Sequence, residues 1–142
     1  MKRQKYLLDT NICAYWLRDK FDVKHRINTV GMENCYISEV TVAELKFGKA
    51  YGRLKGGPKY KDQHLEQFFE DINVLKIEPY FDFYADEKAR LELAGTPAHD
   101  DFDLLIGCTA VAEDMVMVTQ NVTDFKNING IQIENWIPDL QK

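Results

Sequence analysis

Five short apolar runs constrain this chain more than any other feature: Lys5 to Asp9, Cys35 to Ser38, Asn73 to Ile77, Met115 to Thr119 and Gln132 to Glu134. Each is too short for a stable helix and reads as a buried strand. Helical patterns separate most of them. These are Asn11 to Leu17 (Ile12, Tyr15 and Trp16 at helical spacing), Thr41 to Tyr51, Asp62 to Ile72, Tyr80 to Leu93 behind the start signal Pro79, and the apolar Phe102 to Glu113. Strands alternating with helices predict an α/β fold whose sheet is mostly parallel and joined by right-handed crossovers. No repeat, low-complexity tract or interdomain linker interrupts the 142 residues. One domain is expected, long enough to bury a sizeable core.

Acidic residues recur where these strands end. Asp9 closes the first strand, and Glu44 lies in the helix after the second. Asp103 opens the helix Leu104-Leu105-Ile106, and Asp124 follows the fourth strand. Segments beyond the strand ends of an open α/β sheet converge on one crevice. Anions gathered there repel one another unless a divalent cation sits among them, and Mg²⁺ and Mn²⁺ prefer carboxylate and water oxygens. The pattern points to a metal-dependent enzyme acting on a phosphate-bearing substrate.

Each residue also has a plainer reading. Asp9 can cap the helix that begins at Thr10-Asn11. Thr41-x-x-Glu44 matches a capping box, in which the glutamate folds back on the backbone; the local pattern favours that role. Asp103 shares its turn with Asp100 and Asp101, so one of the three is a ligand candidate and the others caps. In Asn121-Val122-Thr123-Asp124, a plain polar turn competes with a site in which Thr119 offers a hydroxyl and Asn121 a neutral oxygen.

The net charge of −5 argues against a polycation that coats nucleic acid, although phosphate binding can be local. Gly52 to Lys61 is basic, punctuated by Gly and Pro, and contains Tyr60. It reads either as a solvated loop or as an arm that contacts RNA phosphates while Tyr60 stacks on a base. Cys13, Cys35 and Cys108 lie far apart in apolar segments, which suits buried, reduced thiols. With His25, His64 and His99 they show no zinc spacing. The basic start Met1-Lys2-Arg3-Gln4-Lys5 imitates a signal peptide, but Asp9 ends its apolar stretch, and no apolar run is long enough to span a bilayer. A cytoplasmic location is expected.

Four segments, read in order, are similar to the PIN domain, and more closely to the VapC-type toxins of bacterial type II toxin–antitoxin modules. They are Leu7-Leu8-Asp9-Thr10-Asn11, Ser38-x-x-Thr41-x-x-Glu44-Leu45, Asp103-Leu104-Leu105-Ile106-Gly107 and Val118-Thr119-x-Asn121-x-x-Asp124-Phe125. The closing Ile131-x-Ile133-Glu134-Asn135-Trp136 resembles the family's last strand and tail. The resemblance implies a three-layer α/β/α fold around a central, mostly parallel five-stranded sheet, as a single PIN domain over residues 1–142. It implies a Mg²⁺- or Mn²⁺-dependent endoribonuclease in which Asp9 and Asp103 are principal metal ligands. Glu44 joins them directly or through water, which displaces the capping-box reading. The fourth acidic position falls at Asn121 or Asp124; Thr10 and Thr119 tune the site by hydrogen bonding. A protein antitoxin and a homodimer are implied as partners. Tyr15, Trp16, Leu45 and Phe47 are candidates for an exposed groove that accepts a partner, with ordinary core as the competing reading.

Two other enzyme classes fit poorly. A haloacid-dehalogenase-type phosphatase needs a second aspartate where Asn11 stands, and a response-regulator receiver needs one at the end of the third strand, which reads Lys76-Ile77-Glu78-Pro79. A PIN-like scaffold that binds RNA or protein without cutting is the remaining alternative.

Overall fold

The computed structural model describes residues 3–57 and 60–138. Met1 and Lys2 of the basic start and Pro58 and Lys59 of the basic segment lie outside the described residues. The chain runs β1 (Tyr6–Leu8), α1 (Thr10–Leu17), α2 (Val23–Val30), β2 (Cys35–Ser38), α3 (Glu39–Lys55), α4 (Asp62–Asp71) and β3 (Asn73–Leu75). It continues through α5 (Phe81–Leu93), α6 (Asp101–Ala112), β4 (Val116–Val118), the short α7 (Val122–Phe125) and β5 (Ile133–Glu134). Single 3₁₀ turns, Met32–Asn34 and Glu78–Tyr80, lead into β2 and α5.

The five strands form one sheet in the order β3-β2-β1-β4-β5, and every neighbouring pair is parallel. Side chains alternate between its faces. Leu7 and Leu8 are both wholly buried, yet Leu8 packs with Ile12, Ile27 and Phe68 while Leu7 packs with Leu91, Leu104 and Phe125. In β4, Val116 and Val118 face the first group and Met117 the second. Helices α1, α2 and α4 therefore cover one face and α5, α6 and α7 the other, giving the three layers expected. Because both faces are covered, the strands read as continuous apolar runs. Burying a Leu side chain in either layer contributes roughly 1.5–3 kcal/mol.

The sheet order reverses at β1: β2 and β3 lie to one side, β4 and β5 to the other. This is the topological switch point at which open α/β sheets bind ligands, outside the carboxyl ends of the strands.

Two elements differ from expectation. Helix α2 had no clear signal, because Val23-Lys24-His25-Arg26-Ile27-Asn28-Thr29-Val30 buries only Val23 and Ile27; packing of that pair into the core sets the helix. Helix α3 is longer at both ends than Thr41 to Tyr51. Ser38 caps its start by accepting a hydrogen bond from Val40 N, and its end carries Gly52 to Lys55. The first part of the basic segment is thus helix and not loop. Of the groove candidates, Leu45 is core, Trp16 packs on Phe68 with ring centroids 4.8 Å apart and Tyr15 meets Phe21 at 4.8 Å. Phe47 is 68% exposed. All three cysteines are buried and free.

Candidate active site

Asp9 is the first residue beyond β1, and its backbone N–H bonds Val118 O of β4 at 2.9 Å, which ties it to the switch point. Only 4% of it is exposed. Its Oδ1 accepts Thr10 N–H at 2.8 Å as the N-cap of α1, and its Oδ2 accepts the Thr119 hydroxyl at 2.8 Å. Cap and site residue are therefore one and the same side chain. Burial pushes its carboxyl up, the bonds from Thr119 and Thr10 oppose this, and the charges of Asp124 and Asp100 add to the rise.

Glu44 is not part of a capping box. With Ser38 as the true cap, Thr41 already lies inside α3, so Glu44 falls too deep in the helix to reach back to a free N–H. Its Oε1 instead accepts the Thr10 hydroxyl at 2.5 Å, and Thr10 Oγ1 also lies 3.1 Å from the buried Thr41 Oγ1. Burial raises the Glu44 carboxyl, the Thr10 bond lowers it, and Asp9 and Asp100 raise it further.

Three aspartates share the start of α6, and each has a different task. Asp100 is the N-cap, its Oδ1 accepting from Phe102 N and Asp103 N at 2.7 and 3.2 Å. Asp101 is taken by Lys88 Nζ and the Tyr84 hydroxyl, both at 2.8 Å. Asp103 remains, partly buried and facing its own kind. Its carboxyl is pushed up to about 7, first by desolvation and then by Asp9, Asp100, Asp124 and Glu44.

Those charges act together only because the residues converge. The structure brings Asp9, Glu44, Asp103 and Asp124 to one crevice, with Thr10 and Thr119 supporting two of them. Asn121 lies at its edge. Its backbone N–H bonds Thr119 Oγ1 at 3.0 Å, while its side chain is exposed and makes no cap for α7. The acids approach without closing into a cage: among the described residues no three His, Cys, Asp or Glu side chains form a ready-made metal cluster.

The rim of the crevice has no counterpart among the sequence motifs. The Tyr15 hydroxyl bonds Gln120 Oε1 at 2.8 Å, and Gln120 N–H reaches Asn11 Oδ1 at 3.5 Å, so α1 is latched to the loop after β4. These partners lie more than a hundred residues apart, and no local pattern signals such a pairing.

An all-parallel, three-layer α/β protein with an acid-lined crevice at its switch point belongs to the class that works on ligands at strand ends. Within that class the chain belongs to the PIN domain family, whose model matches residues 6–131. It is 30% identical to ribonuclease VapC2 of Rickettsia felis, over 92% of this chain and 97% of that one. It is also 30% identical to the tRNA(fMet)-specific endonuclease VapC of Shigella flexneri, over 93% and 98%. Among solved structures, DNA-bound VapBC from Salmonella typhimurium superposes with a TM-score of 0.77 at 28% identity, covering 94% of this chain and 98% of that one.

Proposed function

We propose that the chain is a divalent-metal-dependent endoribonuclease that hydrolyses RNA phosphodiesters, the toxin of a type II toxin–antitoxin pair. The observation that carries this is the convergence of Asp9, Glu44, Asp103 and Asp124 on one crevice at the switch point, where Asp103 has no ion-pair partner among the described residues. Such an arrangement is costly for a resting protein and suited to one that binds a cation. The ribonuclease and endonuclease names of the relatives and the DNA-bound VapBC complex among the structural neighbours support the same reading.

The donor set fits Mg²⁺ or Mn²⁺, which keeps several waters and needs only one or two carboxylates, so an open group of acids suffices. Asp9 and Asp103 would hold it, with Glu44 and Asp124 reached directly or through water and Asn121 as a neutral alternative at the edge. A bound divalent cation supplies water activation and charge neutralisation at the phosphate. The residues of the chain do the rest. Thr119 and the Thr10 N–H fix both Asp9 oxygens, so the carboxylate keeps one orientation. The Thr10 hydroxyl holds Glu44 against the repulsion of its neighbours. Glu44 and Asp103, both raised by burial and by their acidic neighbours, are the carboxylates a cation would relieve most.

A protein antitoxin and a second copy of this chain are the partners proposed, in a cytoplasmic setting. Among the described residues no helix is long and apolar enough to cross a membrane. The test is cleavage of total cellular RNA by the purified chain with Mg²⁺ or Mn²⁺, beside EDTA and Asp9→Asn. Discrete fragments that vanish in both controls are expected. Intact RNA in every lane would turn the reading to a scaffold that binds without cutting.

A further inference from the structure

A groove of about 500 Å³ leads away from the acid crevice between α1, α3 and residues Gly56, Gly57 and Tyr60, sharing Thr10 and Glu44 with the site. Its floor is one face of α3, where Glu44, Gly48, Gly52 and Lys55 follow one another at helical spacing. Glycine inside a helix costs stability relative to alanine. Yet a Cβ at Gly48 would meet nothing within 4 Å, so packing within the described chain gives no reason for the residue. An open floor does.

The walls carry Arg18, Lys49 and Lys55 and the rings of Tyr51 and Tyr60. Lys49 is 3.4 Å from Asp62, but among the described residues neither Arg18 nor Lys55 pairs with a carboxylate. Arg18 rests on the Tyr15 ring at 5.2 Å and Lys55 on the Tyr51 ring at 5.4 Å. The buried Arg18 Nε has no hydrogen-bond partner among the described residues, which is rare for a buried donor. On a chain of net charge −5, two cations without a carboxylate partner among the described residues, the exposed Tyr51, the half-buried Tyr60 and a bare floor match a ligand that carries both an anion and an aromatic face. A nucleotide is such a ligand.

We propose that this groove seats the nucleotide next to the phosphodiester being cut, with a phosphate on Arg18 and Lys55 and its base against Tyr51 or Tyr60. This placement rests on the ribonuclease reading and deepens it: the strand enters along α3 and reaches the acids past Gly48. The basic segment singled out in the sequence then acts partly as a helix face lining a channel.

The experiment measures binding of a fluorescein-labelled single-stranded oligoribonucleotide in EDTA, by anisotropy across a salt series, and cleavage of the same RNA with Mn²⁺. Two variants fill or discharge the groove, Gly48→Leu and the double change Arg18→Gln with Lys55→Gln. Lys46→Gln removes an exposed charge of α3 outside the groove as a matched control. Leucine favours helix more than glycine, so Gly48→Leu is not expected to unfold the chain, and circular dichroism checks this. Binding about tenfold weaker is expected in both groove variants, with the loss falling on KM more than on kcat. The double variant should also show a log–log salt slope shallower by about 0.7 per cation removed. Binding, KM and salt slope equal to wild type would overturn the proposal, as would an equal loss from Lys46→Gln. It would equally be overturned if the groove took a protein segment and no RNA. Failure of the ribonuclease reading looks different: RNA bound through the groove but cut no less by Asp9→Asn than by wild type.

Discussion

Asp9 and Thr119, 110 residues apart, are joined by a 2.8 Å hydrogen bond in which the threonine hydroxyl donates to Oδ2 of a carboxylate that is almost wholly buried. Thr119 itself has no exposed surface. The bond offsets part of the cost of burying that charge and fixes which way its oxygens face.

Thr119→Val keeps the volume and removes the donor. A hydrogen bond to a charged group contributes about 1.5–3 kcal/mol, so a loss of that order is expected in chemical denaturation at neutral pH. Without the bond the Asp9 carboxyl rises further, so the acid limb of the cleavage–pH profile moves to higher pH. An unmoved limb with unchanged stability would contradict the geometry.

Metal-free stability should fall as pH rises. Asp103 has a folded-state carboxyl at about 7, above its ordinary value of 3.8. Between these values the folded chain binds more protons than the unfolded one, so the slope of unfolding free energy against pH is negative. Solvent at the partly open crevice screens the effect, leaving on the order of 1–2 kcal/mol. Asp103→Asn should make that slope shallower, the raised Asp9 and Glu44 carboxyls leaving a remainder, melt a few degrees higher than wild type in EDTA at pH 8, and abolish cleavage. A variant that melts much earlier would make Asp103 structural.

Addition of Mn²⁺ or Mg²⁺ should reverse the cost. Binding to the folded state alone stabilises by about 2.7 kcal/mol at a hundredfold excess over Kd. Thermal melts should show this rise in wild type, its loss on adding EDTA, and little of it in Asp9→Asn.

Asp124 and Asn121 should separate as fourth-position candidates. The charge of Asp124 acts on both Asp9 and Asp103, whereas the Asn121 side chain is exposed and neutral. Asp124→Asn is expected to lower cleavage roughly 10–100-fold, the scale seen when partners of a metal site are removed, and Asn121→Ala far less. Initial rates at saturating Mn²⁺ decide the order.

Gly107 sets how closely α6 meets the segment that bears Asp124. A Cβ there would collide with Cδ1 of Ile128 and come within 3.1 Å of Cδ1 of Phe125, the residue next to Asp124. In Gly107→Ala the ends of the Ile128 and Phe125 side chains must give way at a cost of about 1–3 kcal/mol, of which the better helix propensity of alanine offsets about 1 kcal/mol. Cleavage should fall further than the folded fraction does, because the shift moves Asp124.

The two covered faces of the sheet came only from the resemblance, whereas the alternation of strand and helix and the presence of an acid after strand ends are legible in the sequence alone. These are periodic or local signals, visible because backbone hydrogen bonding and burial repeat every two or 3.6 residues. Helix α2 lacked such a signal, with two buried residues in eight. Tertiary structure alone decided which acid does what. Asp100, Asp101 and Asp103 are alike in a string of letters; they became a cap, an ion-pair partner and an unpaired site acid only when Phe102 N, Lys88 and Asp9 were in place around them. Glu44 likewise matched a local capping pattern until Ser38 took the cap and Thr10 of another helix took the glutamate. Carboxylate chemistry depends on neighbours within a few ångströms, and in a parallel sheet those neighbours come from strands far apart in the chain.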